Sequence, residues 1–207
     1  MEKSPSLPKI CCFNTVVAKV SCGMAHTIML SASGHVYSMG SNQFGQLGLN
    51  LPFTEKSGNA SEIFTKILPC LVESLQGLII CDIASGNDHC LALTESGDKV
   101  FAWGQGKYGA LGTSKSQNMK QPVEVEKHPS IKVDMIAAGA RHSAFICRNF
   151  ERDLYMFGHA TSGQLGLGEE CIDKAFKPEK VQFADKSLLV QKVALGESHS
   201  LILSAKG

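Results

Sequence analysis

Four histidines, His26, His89, His142 and His199, each stand three residues after a glycine, Gly23, Gly86, Gly139 and Gly196. Four imidazoles would suffice for a tetrahedral metal site, but such a site needs its ligands to converge on one point. The glycines lie 63, 53 and 57 residues apart, so the histidines are equivalent members of a repeat, set on successive units and not around one ion. The role expected of them is a buried hydrogen bond beside the hydroxyl that follows, as at Thr27, Ser143 and Ser200.

A second string with chemical potential is Gly104-Gln-Gly106-Lys-Tyr-Gly109, which has the glycine spacing of a dinucleotide fingerprint. Its other copies speak against that use. Gly106 is replaced by Asn42 and Ala160, and no helical pattern follows to receive a pyrophosphate. A phosphate loop would require lysine where Gln46, Ala110 and Gln164 stand. The eight cysteines include no Cys-x-x-Cys pair, which argues against zinc. They read as reduced thiols, and Cys22, Cys81, Cys90 and Cys147 sit inside apolar strand patterns, as small hydrophobes do. No nucleophile, base and orienting acid share a recognisable motif. The residues thus lead to no catalytic group, no cofactor site and no metal site.

Composition narrows the partners. Twenty basic and nineteen acidic residues give a net charge of +1, which offers no general attraction to a phosphate backbone or an anionic membrane. The apolar runs fall well short of the roughly 20 residues that cross a bilayer, and residues 1–8 have no signal-peptide core. The expected address is intracellular and soluble, with the compartment open.

The elements that must position these residues follow from the repeat. A nine-residue glycine loop recurs as Gly40-Ser-Asn-Gln-Phe-Gly45-Gln-Leu-Gly48, Gly104 through Gly109 to Gly112, and Gly158 through Gly163 to Gly166. Between the two signatures lie paired apolar runs, 26–30 with 36–39 and 89–93 with 100–103, joined through Ser33-Gly34 and Ser96-Gly97 as β-hairpins. The third copy puts Arg148-Asn-Phe-Glu-Arg152 in place of the glycine turn, predicting a longer, exposed loop. One more strand precedes each Gly-x-x-His, and another is read after each of Pro8, Pro69, Pro122 and Pro178. Four strands in about fifty residues is the arithmetic of a propeller blade. Apolar residues alternate onto both faces of the 26–30 run, as a sheet held between two neighbours requires. The fold class is all-β. Residues 1–207 read as a single partial β-propeller domain, with units near 8–50, 69–113, 122–168 and 178–207 and an insertion at 51–66.

These motifs resemble the repeat of the regulator of chromosome condensation family: Gly-x-x-His, then aromatic-x-aromatic-Gly, then Asn-x-x-Gly-Gln-Leu-Gly. Tyr37-Ser-Met39-Gly40, Phe101-Ala-Trp103-Gly104 and Tyr155-Met-Phe157-Gly158 carry the middle motif, with Met39 departing from it. The resemblance implies blades of a seven-bladed ring in a eukaryotic protein. The chain holds about three and a half of them, and an open half-ring exposes strand edges and apolar blade faces. Further sequence, a second copy or other subunits are expected to close it.

The least repetitive segment is the insertion, where Phe53, Ile63 and Phe64 offer apolar anchors among Glu55, Lys56 and Glu62. Variable loops on a rigid repeat are where binding usually resides; a solvated loop without function is the other reading. The leading expectation is a non-catalytic interaction scaffold or structural subunit with protein partners, a large assembly among them. The alternative, implied by the resemblance alone, is a guanine-nucleotide exchange factor, or a fragment of one, for a small GTPase.

Overall fold

The computed structural model describes residues 14–51, 65–168, 171 and 173–206. Apart from one 3-10 turn at Glu73–Leu75, its regular elements are strands. The first sheet contains β1 (Val17–Cys22), β2 (His26–Ser31), β3 (Val36–Ser41) and β4 (Thr65–Leu71), hydrogen-bonded in that order. The second contains β5 (Ile80–Ser85), β6 (His89–Thr94), β7 (Val100–Gly104) and β8 (Met119–Glu124). The third contains β9 (Val133–Ala138), β10 (His142–Cys147), β11 (Leu154–His159) and β12 (Lys174–Lys180). The fourth has two strands, β13 (Val190–Leu195) and β14 (Ser200–Ser204). All pairings are antiparallel.

The hairpins fall where the glycine turns predict them. Leu30 pairs with Val36, Leu93 with Val100, and Gly34 closes the first turn at φ 81° with its N–H donated to the Ser31 carbonyl. The phase of the units needs correcting. The proline-bearing strand read at the head of units 69–113, 122–168 and 178–207 is instead the outer edge of the preceding sheet, as β4, β8 and β12. Nor do these strands start at the proline: Pro69, Pro122 and Pro178 lie inside them, next to register shifts. An outermost strand tolerates a residue without an N–H because one of its edges has no ladder to complete.

Consecutive sheets stack face to face, and a separate apolar core fills each of the three seams. Ile28, Leu30, Cys90, Ala92 and Trp103 belong to the seam between the first two sheets; Leu91, Leu93, Phe145 and Phe157 to the next; Ala144, Ile146, Met156 and Val193 to the last. Alternate residues of β6 therefore serve two different cores, which is why the whole strand is buried. Val16, Val17 and Val20 at one end and Leu201, Ile202 and Leu203 at the other are exposed. The cysteines divide: Cys90 and Cys147 are buried as expected, whereas Cys22 and Cys81 are exposed. Cys22 lies on the bare β1, and Cys81 sits at the bulge between Ile80 and Asp82, which turns it outward.

Candidate functional site

Each Gly-x-x-His segment is the turn that joins the first two strands of a sheet. Gly23, Gly86, Gly139 and Gly196 donate their N–H groups to the carbonyls of His26, His89, His142 and His199 at 2.8–2.9 Å. The imidazole then lies over its glycine: a Cβ on Gly23 or Gly86 would stand 2.1 Å from the ring of His26 or His89. Glycine is needed here for this close approach. The turns are tied together across the seams by backbone bonds from Met24 N–H to Asn87, Asn87 N–H to Ala140 and Ala140 N–H to Gly196.

From this position each imidazole reaches the following sheet. His26 Nε2 lies 3.0 Å from Cys90 Sγ, His89 Nε2 2.9 Å from Ser143 Oγ, and His142 Nε2 3.0 Å from Ser200 Oγ. The receiving atom is gripped a second time, by a carbonyl of the preceding sheet's glycine loop: Cys90 by Gln46 at 3.4 Å, Ser143 by Ala110 at 2.7 Å, Ser200 by Gln164 at 2.6 Å. A carbonyl cannot donate, so the hydroxyl gives its proton to the carbonyl and accepts from Nε2–H. Each histidine is thereby held as the neutral Nε2–H tautomer. Burial, the leading cause in all three, lowers the pKa of His26 to about 4, of His89 to about 3 and of His142 to about 4; the neighbouring histidines lower His89 further.

Two corrections follow. The partner is not the residue after the same histidine but the residue after the next one, so Cys90 is part of the set and Thr27 is not; Thr27 faces away from the second sheet and its hydroxyl lies 3.7 Å from Cys22 Sγ. His199, expected to be buried like the others, is exposed, because no sheet follows it among the described residues.

The glycine loops are clamped by the next sheet as well. Trp103 Nε1 donates to the Gln46 carbonyl at 2.9 Å while its ring lies against Gly48, and the Phe157 ring lies against Gly112. Gly40, Gly104 and Gly158 have φ between 99° and 113°, and a Cβ at Gly40 would lie 2.5 Å from the Ala25 carbonyl. Gly106, of the dinucleotide-like string, is lodged against the Gln117 carbonyl, and the chain runs on from it to a strand. Among the described residues no three His, Cys, Asp or Glu side chains are grouped to hold a metal ion.

At the end of the stack that carries the Gly-x-x-His turns and glycine loops, an aromatic and cationic cluster faces solvent. The Tyr108 ring has the Arg141 guanidinium 4.7 Å and Lys107 Nζ 5.4 Å from its centroid, and the His159 ring meets it edge-on at 5.4 Å. Arg141 is the third residue of a Gly-x-x-His turn and Tyr108 the fifth of a glycine loop, so repeat-bound backbone positions both. Sequence reading missed this pair because the variable positions of the motifs give no sign of which neighbours they meet. Phe53, Glu55, Lys56, Glu62, Ile63 and Phe64 lie outside the described residues.

At the opposite end, the glycine turns bond the next sheet through their carbonyls, Gly34 from Ile80 N–H and Gly97 from Val133 N–H. In the third sheet Arg152 replaces that contact. It takes a left-handed φ of 50°, donates Nε to the Val190 carbonyl at 2.8 Å and pairs with Asp134 at 2.7 Å. The loop is exposed as predicted, with Phe150 at its tip 92% accessible.

Two profiles described as "Regulator of chromosome condensation (RCC1) repeat" match this chain, one at residues 33–93, 98–146 and 153–203 and the other at 17–46 and 80–110. The Ultraviolet-B receptor UVR8 of Arabidopsis thaliana is 35% identical over 192 residues, 92% of this chain and 40% of its own length. The human probable E3 ubiquitin-protein ligase HERC3 is 31% identical over 89% of this chain but only 16% of its own. The crystal structure of Prp20p from Saccharomyces cerevisiae, solved with its binding properties to Gsp1p and histones, superposes with a TM-score of 0.75 at 24% identity, over 94% of this chain and 44% of that one. The chain thus spans less than half the length of each.

Proposed function

Because the chain belongs to the regulator of chromosome condensation (RCC1) repeat family, we propose that it is a non-catalytic interaction scaffold that docks protein partners on the face formed by its Gly-x-x-His turns and glycine loops. The observation that carries this reading is the Tyr108–Arg141 pair, an aromatic ring and a guanidinium of the kind that anchor interfaces. Both are mounted on backbone locked by the histidine bonds, so they can be presented at little ordering cost. The Nε2 atoms of His26, His89 and His142 are all engaged in those bonds. The segment with Phe53, Glu55, Lys56, Glu62, Ile63 and Phe64 joins the same face in this reading.

The test is proximity labelling in cells with the wild-type chain, an Arg141→Glu/Tyr108→Ala variant and a Phe53→Ala/Phe64→Ala variant. Loss of the same labelled proteins from both variants, with circular dichroism unchanged, is the expected result; retention of the full set by both overturns the docking face. The family resemblance alone suggests the alternative, nucleotide exchange on a small GTPase. Acceleration of labelled-nucleotide release from a GTPase by the purified chain would replace the scaffold reading with that one.

A further inference from the structure

Two cations converge on one aromatic ring where a turn of the third sheet meets a loop of the second. The Arg141 guanidinium lies 4.7 Å and Lys107 Nζ 5.4 Å from the centroid of Tyr108. Neither joins an ion pair among the described residues, whereas Lys132, Arg148, Arg152 and Lys180 each meet a carboxylate. The Asp88 carboxyl, from the preceding Gly-x-x-His turn, is near enough for Arg141 to oppose the rise that burial gives its pKa, but it forms no ion pair with the guanidinium. Lys174, which pairs with His159 in the ladder, is already held by Asp173.

The backbone under both residues is fixed. The Arg141 carbonyl accepts the His159 N–H at 3.0 Å, and the next residue, His142, is fully buried. Tyr108 precedes Gly109, where a Cβ would lie 2.6 Å from the Ala175 carbonyl. The ring is braced by His159, whose two nitrogens are engaged by Gln164 at 3.0 Å and Thr161 at 3.2 Å. Arg141 and Lys107 are thus the cations of this cluster left to meet a charge from outside.

We propose that Arg141, Lys107 and Tyr108 form the binding site for a phosphoserine or phosphothreonine of a protein partner. A guanidinium held over a ring still has its N–H fork for two oxygens of an anion, and Lys107 can reach a third as a point charge. A phosphomonoester has three terminal oxygens and a charge of about −1.5 to −2 at neutral pH, which suits two cations; a carboxylate would satisfy one. The ring is half-buried and Arg141 is exposed, so the site is shallow and takes a phosphate on a short side chain. A polyanion is the poorer fit, because a net charge of +1 offers a nucleic-acid backbone little beyond this one spot. The inference rests on the docking-face reading and names the chemistry recognised there.

The experiment is a fluorescence anisotropy titration of the purified chain against labelled peptide pools with random flanks and a fixed central phosphoserine, serine or aspartate. The phosphoserine pool should bind about tenfold more tightly than either of the others, and Arg141→Ala and Lys107→Ala should each remove most of that preference. Arg141→Lys should fail to restore it, because the fork is read as well as the charge. Comparing pools on the unaltered chain keeps the test free of any effect of a substitution on folding. Equal binding of the three pools, absence of binding, or a preference that survives Arg141→Ala overturns the proposal. So does an RNA oligonucleotide bound as tightly as the phosphoserine pool and lost with Arg141→Ala, since the site would then serve a nucleic-acid backbone. Partner labelling in cells that depends on Arg141 and Tyr108 while the pools bind equally sinks the phosphate inference and leaves the docking face standing. Labelling that survives the Arg141→Glu/Tyr108→Ala variant, with the phosphoserine preference intact, does the reverse.

Discussion

The Ser143 hydroxyl stands 2.9 Å from His89 Nε2 across the seam between the second and third sheets, in a site where both residues are fully or nearly inaccessible to water. The hydroxyl also donates to the Ala110 carbonyl, so one oxygen joins a turn and a loop of one sheet to a strand of the next.

Ser143→Ala removes that oxygen and leaves a buried N–H and a carbonyl unpaired, each costing about 1–3 kcal/mol. The expected loss of about 2–6 kcal/mol in a urea titration should shrink for Ser143→Cys, since Cys90 fills the same place one sheet earlier.

Stability should fall with acid before the carboxylates titrate. The folded pKa values of His26, His89 and His142 lie at about 4, 3 and 4, below the 6.5 of an unfolded histidine, so below pH 6.5 the unfolded chain takes up protons that the folded chain refuses. The histidine contribution is complete above pH 6.5 and drains as the pH drops toward 4, with a slope of up to about 4 kcal/mol per pH unit from three sites. Denaturant midpoints at pH 7.5, 6.0 and 5.0 measure this; a flat profile across that range would contradict the neutral, buried assignment.

Gly109→Ala and Gly163→Ala make a matched pair. Both positions have positive φ, 83° and 73°, and both pay a common penalty of about 1 kcal/mol. Only the first drives a methyl into a backbone carbonyl, at 2.6 Å. Gly109→Ala should therefore be the costlier by about 1–3 kcal/mol, read as the difference between two thermal melts.

Arg152→Ala deletes the bond to the Val190 carbonyl and the ion pair with Asp134, and forces alanine into a left-handed conformation. Its side chain is about one-third exposed, so the ion pair is screened and a total near 2 kcal/mol is expected. Arg152→Gly should recover the conformational part alone, which a three-way comparison with the parent resolves.

Much of this was legible in the residues. Glycine and histidine at fixed offsets identified the repeat, the hairpins and the burial of His26, His89 and His142. The partner of each histidine was not, for a reason intrinsic to repeats: Ser143 follows His142 in the chain and faces His89 in space, and the string offers both neighbours in the same chemical form. The phase of the sheets escaped for the same reason, since a periodic sequence has no marked beginning, and Pro69, Pro122 and Pro178 read as starts when they lie within outer strands. Arg152 escaped because it does with a guanidinium what Gly34 and Gly97 do with a carbonyl.

The identical construction of the three seams makes the molecule a one-dimensional chain of coupled units, in which each unit's persistence depends on how many neighbours it has. Among the described residues the second and third sheets have two neighbours each, and the first and the two-stranded fourth have one. Opening should thus begin at β13–β14 and travel inward, so amide exchange is fastest at Leu201–Leu203 and slowest at Leu91–Leu93. Slower exchange at that end would spread along the whole stack, because each seam steadies the next.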